Sequence, residues 1–253
     1  MNRKNKASSA PVPKILKQNK FSPLALEIIK KLKKSGFQAY LVGGCVRDSL
    51  VGIKAKDFDV STDATPEEVK KIFRSSRIIG KRFRLVHVFS SNELIEVSTF
   101  RADTSKTEHS SGIIKDSEGK ILRDNVWGTL EEDCIRRDFS INALYFDPVE
   151  NHLCDFHDGL KHIQKKILVS IGNPLVRFEE DPVRSLRAIR FSSKLKFKIS
   201  NDVKEAIYQK GNLLENISNA RMFDEFCKIF LTKEAQNNFN KLTFPFSKRI
   251  LIT

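Results

Sequence analysis

The segment Leu41–Thr62, LVGGCVRDSLVGIKAKDFDVST, constrains this chain more than any other. An apolar strand runs into Gly43-Gly44, and a second strand, Asp57 to Ser61, carries Asp57 and Asp59 one residue apart. Alternate residues of a strand share a face, so the spacing predicts two carboxylates converging on one point. Phe58 and Val60 then face the opposite way, into a core. The glycine pair lets the backbone approach a polyanion closely, with Arg47 four residues beyond Gly43. These are the parts of a site for a nucleoside triphosphate and its Mg2+, because magnesium is held by one or two carboxylates together with substrate phosphates.

At 253 residues, with 40% hydrophobic and 30% charged, the chain has the size and make-up of one or two globular domains. It has no run of about 18 or more apolar residues, and its basic N-terminus lacks the apolar core of a secretory signal, so no membrane partner is expected. Cys45, Cys134, Cys154 and Cys227 are scattered, with no C-x-x-C pair and no matching histidine spacing. That pattern predicts free thiols and a cytoplasmic location rather than a zinc site or a disulfide framework. The formal net charge is +14, and Met1–Lys34 holds ten Lys/Arg against a single acid, Glu27. A charge of this size points to a nucleic-acid partner gripped largely through phosphates, with a merely solvated basic surface as the alternative.

Residues 1–20 read as a disordered basic arm. Ser22-Pro23 caps and opens a helix with Leu24, Ile28 and Leu32 as its apolar stripe and Gly36 as its end; a strand, Phe37 to Val42, follows. The chain loops between Ser49 and Lys56. Thr65-Pro66-Glu67-Glu68 starts a helix that buries Val69, Ile72 and Phe73. Phe83 to Phe89 and Glu93 to Phe100 make an antiparallel hairpin around Ser90-Ser91-Asn92. Thr104 to Arg123 is polar and aperiodic, a mobile loop; a helix runs through Glu131 to Arg137, then a strand from Ile141 to Asp147. Asp155 to Ile171 reads as a short connector, and from Pro174 the pattern is helical. The plan is an α/β head over 21–150 with a mixed or antiparallel sheet, a connector over 151–172, and an all-α segment over 173–253.

Three further clusters carry chemistry. Glu96, in LIEVSTF, is a third carboxylate by position: Leu94, Glu96 and Ser98 share a face, while Ile95, Val97 and Thr99 take the buried one. An ordinary solvated strand residue fits Glu96 equally. Arg136-Arg137-Asp138 ends a helix ahead of an apolar strand. Adjacent guanidiniums suit triphosphate oxygens, and Asp138 either accepts a sugar hydroxyl or holds one of these two arginines in place; a surface ion-pair cluster is the plain alternative. Glu179-Glu180-Asp181-Pro182-Val183-Arg184 reads as a helix opening, acids in its first turn. Asp181 and Arg184, three apart, share a face and together offer an acceptor and a donor to a base edge. Arg187 and Arg190 extend that face, with Leu186 and Ile189 turned inward; a capped helix with a basic stripe fits the same residues.

Taken in order, these blocks resemble the class II nucleotidyltransferases of the polymerase-beta superfamily, which include bacterial poly(A) polymerases and CCA-adding tRNA nucleotidyltransferases. The resemblance covers residues 37–200. Gly43-Gly44-x-Val46-Arg47-Asp48 with Asp57-x-Asp59 is similar to the first motif, and Arg136-Arg137-Asp138-Phe139-Ser140-Ile141-Asn142-Ala143 to the second. Asp155 to Gly159 looks like the hinge, and Glu180-Asp181-x-x-Arg184-x-x-Arg187 like the base-recognition motif. The resemblance implies a polymerase-beta-like head followed by a helical neck, with Asp57 and Asp59 on the metals and Arg137 on the triphosphate. It also implies that Asp181 and Arg184 form an amino-acid template for the incoming base.

Ile78-Ile79-Gly80-Lys81-Arg82-Phe83-Arg84-Leu85-Val86-His87-Val88 is similar to the signature that separates bacterial poly(A) polymerases from CCA-adding enzymes. The expected reaction is therefore transfer of AMP from ATP to RNA 3′ ends, as in mRNA polyadenylation, RNA processing and decay. CCA addition to tRNA and an inactive RNA-binding descendant are the alternatives. Family members usually continue into body and tail domains that hold RNA, whereas this sequence stops at Thr253, after KLTFPFSKRILIT. The grip on RNA is then expected to be weaker, or supplied by a protein partner or the RNA-decay machinery, with the basic arm compensating in part.

Overall fold

Hydrophobic alternation and well-marked caps build most of the elements. The computed structural model describes residues 8–9, 12–13, 16, 20–80, 83–90, 93–102, 113–115, 121–124 and 126–231. The remainder of the arm, Lys81-Arg82, the Ser91-Asn92 tip, most of the loop expected over 104–123, and the C-terminal KLTFPFSKRILIT lie outside the described residues. Contacts divide the chain into two units, Met1–Arg137 with Asn142–Gly159, and Asp138–Ile141 with Leu160–Thr253.

In the first unit, β1 (Ser8–Ser9) is a two-residue strand inside the arm expected to lack structure, where it pairs with a strand near the unit's end. Helix α1 (Pro23–Lys34) starts on Ser22, whose hydroxyl accepts from Ala25 N–H, and buries Ala25, Ile28, Ile29 and Leu32. After β2 (Ala39–Val42) comes a helix, α2 (Gly44–Val51), where a glycine turn and a loop were expected. Gly43 and Gly52, both at positive φ, bound it, and Cys45, Val46 and Arg47 are buried within it. Next come β3 (Asp59–Thr62) and α3 (Pro66–Ile72), the latter opened by a complete capping box between Thr65 and Glu68. A short strand that the sequence pattern did not mark, β4 (Ser76–Ile79), precedes the hairpin β5 (Leu85–Ser90) and β6 (Glu93–Thr99). Within the polar stretch read as a loop, β7 (Ile113–Lys115) and β8 (Ile121–Asp124) form an antiparallel ribbon. Then α4 (Leu130–Ile135), capped by Thr129 and Glu132, leads through a 3-10 turn to β9 (Leu144–Asp147) and β10 (His152–Asp155).

Eight strands form one mixed sheet in the order β1-β10-β9-β2-β3-β6-β5-β4. Only β3 and β6 run parallel, since the chain returns beside β3 after crossing through α3, β4 and β5. Register sorts the side chains into rows. Phe146, Leu41, Val60, Val97 and Val86 stand in successive register across five strands and all are buried. Phe21, just ahead of α1, packs its ring 5.5 Å from Phe146 and 6.4 Å from Phe58 on that side. Each such side chain removed from water contributes about 1.5–3 kcal/mol. The adjacent row, pointing to the other face, reads Tyr145, Val42, Asp59, Glu96, His87 and Arg77.

The second unit is helical, with one small exception. The stretch read as a bare connector carries α5 (Gly159–Gln164) and β11 (Ile167–Leu168). Helices α6 (Pro174–Glu180) and α7 (Val183–Leu195) follow, then β12 (Lys198–Ile199), parallel to β11, and α8 (Asn201–Lys210) and α9 (Asn219–Phe230). Leu186 and Ile189 of α7 are core residues, and Phe139 meets Phe191 edge-on at 5.9 Å. Among the described residues no helix is long and apolar enough to cross a membrane.

Candidate active site

Parallel pairing of β3 with β6 sets Asp59 directly beside Glu96, and antiparallel pairing of β2 with β3 sets Val42, the residue before Gly43, beside Asp59. The glycine turn therefore arrives at the carboxylates by sheet register alone. Gly43 has φ +72 and ψ −126, a conformation that L side chains rarely adopt. A Cβ there would lie 3.5 Å from Arg137 Nη1 and 4.0 Å from Asp59 Oδ2, so the bare backbone runs between a cation and an anion. Burial and then the charges of Glu96 and Asp57 push the Asp59 carboxyl up to about 6, against a lowering pull from Arg137.

Arg137 is held from behind. Its Nε donates to the Tyr145 hydroxyl at 2.6 Å and its Nη2 to Asp133 Oδ2 at 3.3 Å, and the Tyr145 hydroxyl donates in turn to Asp133 Oδ2. Asp133 Oδ1 also accepts from the Arg101 backbone N–H at 3.2 Å. Burial works against the guanidinium charge, but Tyr145 and Asp133 more than offset it, so Arg137 stays cationic with Nη1 toward Gly43 and Asp59. Asp133 and Tyr145 are the site residues that sequence reasoning missed. The four-residue spacing of Asp133 and Arg137 was the available signal, but Tyr145 became legible only once β9 was placed beside β2.

Not every expected residue joins this point. Asp57 lies just before β3 and is exposed rather than on the strand, although its charge reaches Asp59. Arg47 is 3% exposed and its guanidinium is engaged inside the fold, with Asp48 Oδ1 at 2.6 Å and the Asn142 side chain. It braces the Gly43-Gly44 turn, since a Cβ on Gly44 would meet Arg47 Nη2 at 3.6 Å. The donors fit magnesium: Asp57, Asp59 and Glu96 offer oxygen alone, and the repulsion that raises Asp59 is what a divalent cation relieves. Among the described residues no three His, Cys, Asp or Glu side chains close into a cage by themselves.

In the second unit, Asp138 holds an arginine outside the Arg136-Arg137 pair. Its Oδ2 accepts from Arg187 Nε at 2.7 Å and pairs with Nη2 at 2.6 Å, while Oδ1 accepts from Phe139 N–H. Glu225, buried, continues the network to Arg190 at 3.1 Å. Glu179 and Glu180 end α6 rather than opening the next helix, and Asp181 is the residue between α6 and Pro182. Asp181 and Arg184 do not pair with each other through their side chains. Asp181 Oδ1 accepts from Val183 N–H and Oδ2 pairs with Arg221 at 2.7 Å. Arg184 Nη1 donates to Glu180 Oε2 and to the Arg177 carbonyl, both at 3.0 Å.

Known proteins share both halves of this arrangement. Residues 39–169 match the family described as "Poly A polymerase head domain", and residues 196–243 that described as "Probable RNA and SrmB- binding site of polymerase A". The chain is 47% identical over 210 residues to "Poly(A) polymerase I" of Haemophilus influenzae, a match covering 83% of this chain and 46% of that protein. It is 38% identical over 213 residues to the "CCA-adding enzyme" of Bacillus licheniformis, covering 83% and 51%. Among solved structures, the Bacillus stearothermophilus CCA-adding enzyme in complex with CTP superposes with a TM-score of 0.74 at 34% identity, covering 88% of this chain and 52% of that one. The chain thus spans about half the length of the curated relatives it matches. Because the head-domain match takes in more than half of the 253 residues, and its strands and glycine turn are those that build the carboxylate site, this chain belongs to the poly A polymerase head-domain family of nucleotidyltransferases.

Proposed function

We propose that this chain transfers AMP from ATP to the 3′ hydroxyl of RNA without a template, releasing pyrophosphate. The observation that carries the reading is the meeting of Asp59, Glu96, the Gly43 backbone and Arg137 at one point. Asp57 and Asp59 would hold magnesium, with Glu96 as the third carboxylate beside them. When bound, the metal lowers the pKa of an attacking hydroxyl and balances charge on the leaving pyrophosphate. The chain itself supplies position and charge. Gly43 and Gly44 let the triphosphate lie against the backbone, and Arg137, locked by Tyr145 and Asp133, presents a fixed cation to its oxygens. Asp181 and Arg184 read the base edge, each steadied by its own neighbours, while Asp138 fixes Arg187.

Adenylate is favoured over CCA addition by the resemblance of Ile78–Val88 to the poly(A) polymerase signature, and by the higher identity to the relatives bearing that name. CCA addition is the second reading, because a superposed structure holds CTP. Supplying the purified chain with an unstructured RNA primer, or a tRNA lacking its CCA end, and one nucleoside triphosphate at a time separates them. Long A tracts on the primer are expected. CTP use confined to tRNA ends would assign CCA addition, and no labelling of either RNA would leave RNA binding as the function. Addition of a cell extract to a weakly extending chain then tests whether a protein partner in the cytoplasm supplies RNA grip.

A further inference from the structure

The row that carries Asp59 and Glu96 continues outward, to His87 on β5 and Arg77 on β4, each in register with its neighbour. Residues paired across strands share a face, as do alternate residues along one strand. Phe89 and Leu94, register partners of each other, therefore lie on this same face, one step along from His87 and Glu96. Both are exposed, at 39% and 46%, whereas Val88 and Ile95 on the opposite face are 3% and 0% exposed. The Phe89 ring stands edge-on to the His87 imidazole at 6.1 Å, and His87 Nε2 is 3.8 Å from Glu96 Oε2. Arg77 is exposed at the outer end of the row. The result is an aromatic and aliphatic pair in water, flanked by a histidine and an arginine and continuous with the carboxylates.

We propose that this face is the subsite for the acceptor end: the 3′-terminal base of an RNA stacks on Phe89 and Leu94. The neighbouring phosphate lies toward Arg77, and the 3′ hydroxyl is directed along the row to Glu96 and Asp59. The inference rests on the adenylyl-transfer reading of the Asp59 site. Aromatic platforms with a nearby cation hold single strands irrespective of base, since every base has a π face. That suits an acceptor whose last residue varies and whose sequence is not copied. Burial of a base on Phe89 and Leu94 also covers the part of their apolar surface that is exposed to water.

The test uses the double variant Phe89→Ala/Leu94→Ser and a short unstructured RNA. The exposed positions keep the fold intact, which an unchanged melting temperature verifies. In extension assays the KM for RNA is expected to rise about ten-fold, with the KM for ATP unchanged. In parallel, an Asp59→Asn chain is photocrosslinked to the same RNA carrying a 3′-terminal thiouridine. Adducts are expected on β5 and β6, and their loss when the double variant is added. An unchanged RNA KM, a parallel rise in the ATP KM, or adducts that are absent or map elsewhere overturns the subsite. A wild-type chain that crosslinks on β5 and β6 yet extends no RNA sinks the transfer reading and leaves the subsite standing.

Discussion

Asp59 on β3 and Glu96 on β6 are register partners on the only parallel pair of the main sheet, and burial together with this neighbour raises the Asp59 carboxyl to about 6. A carboxyl with a folded-state pKa above its unfolded value binds its proton more tightly when folded. Between roughly pH 4 and pH 6 the native state then holds a proton that the unfolded state has lost, so stability falls as pH rises through that window. In metal-free buffer, urea midpoints are expected to decrease from pH 4.5 to pH 7 by this contribution, and magnesium is expected to restore part of the loss at pH 7. A contribution that rises with pH in the difference between wild type and Asp59→Asn would contradict the assignment.

The same relationship separates stability from activity in one substitution. Asp59→Asn removes the charge that burial and Glu96 disfavour, so the metal-free variant should be more stable than wild type at pH 7.5, by at most about 3 kcal/mol. The gain disappears below about pH 4, where both carry a neutral side chain. Asp59→Asn and Asp57→Asn should each abolish nucleotide incorporation with the fold intact by circular dichroism. Robust extension by either one would remove it from the metal site.

Arg137 owes its aim to Tyr145. Tyr145→Phe deletes a hydroxyl that accepts from Arg137 Nε and donates to Asp133 Oδ2, leaving both partners under-satisfied in a buried place. The expected cost is about 1–3 kcal/mol in urea denaturation. A rise in the KM for ATP beyond what lost stability accounts for would come from a guanidinium no longer fixed beside Gly43. An unchanged KM would mean that the Tyr145 hydroxyl is not needed to orient Arg137.

Gly43 offers an independent probe of the same point. Its φ of +72 with ψ of −126 is open to glycine and strained for alanine, at a cost of about 1–3 kcal/mol. Gly43→Ala should therefore lower the thermal midpoint and reduce incorporation more strongly than Gly52→Ala, whose φ of +84 lies at the far end of α2 with nothing within 4 Å of the added carbon. Equal losses of activity in the two variants would show that backbone strain, and not the approach to Arg137 and Asp59, is what matters at Gly43.

Much of this was legible because the first unit follows local rules. Ser22 and Thr65 each cap a helix by a side-chain bond to the backbone, and the LIEVSTF alternation buries Ile95 and Val97 while turning Glu96 out. What was misread depends on distant partners. Helix α2 begins on glycine and carries β-branched residues, poor local evidence for a helix; Arg47 bonded to Asp48 and Asn142, with Cys45 and Val46 in the core, holds it. Strand β4 is four residues long with no clean alternation and exists because β5 offers it an edge. The acids of Glu179-Glu180 were assigned to the wrong helix because Pro182 suits the junction between two helices as well as the start of one. At Arg47, residue type alone does not tell a phosphate contact from a buried brace, and its burial beside Asp48 and Asn142 becomes legible only in the fold.

Base choice is the property on which that helix junction bears most. Arg184 is braced by Glu180 Oε2 and the Arg177 carbonyl, and Arg177 Nη1 shares the same Glu180 oxygen at 2.7 Å. Glu180 therefore fixes two guanidiniums at once. If Arg184 reads the base edge, Arg184→Ala removes the donors and should relax the preference for ATP over the other nucleotides by about ten-fold or more, because a bidentate donor contributes about 1–3 kcal/mol of discrimination. Glu180→Gln keeps an acceptor for both arginines but loses the charge, so it should relax the preference by less, and Glu180→Ala should fall between them. Competition between ATP and CTP on a common RNA primer measures the ratio in each variant. Unchanged discrimination in Arg184→Ala would remove it from base reading, and a loss in Glu180→Ala alone would place the reader at Arg177.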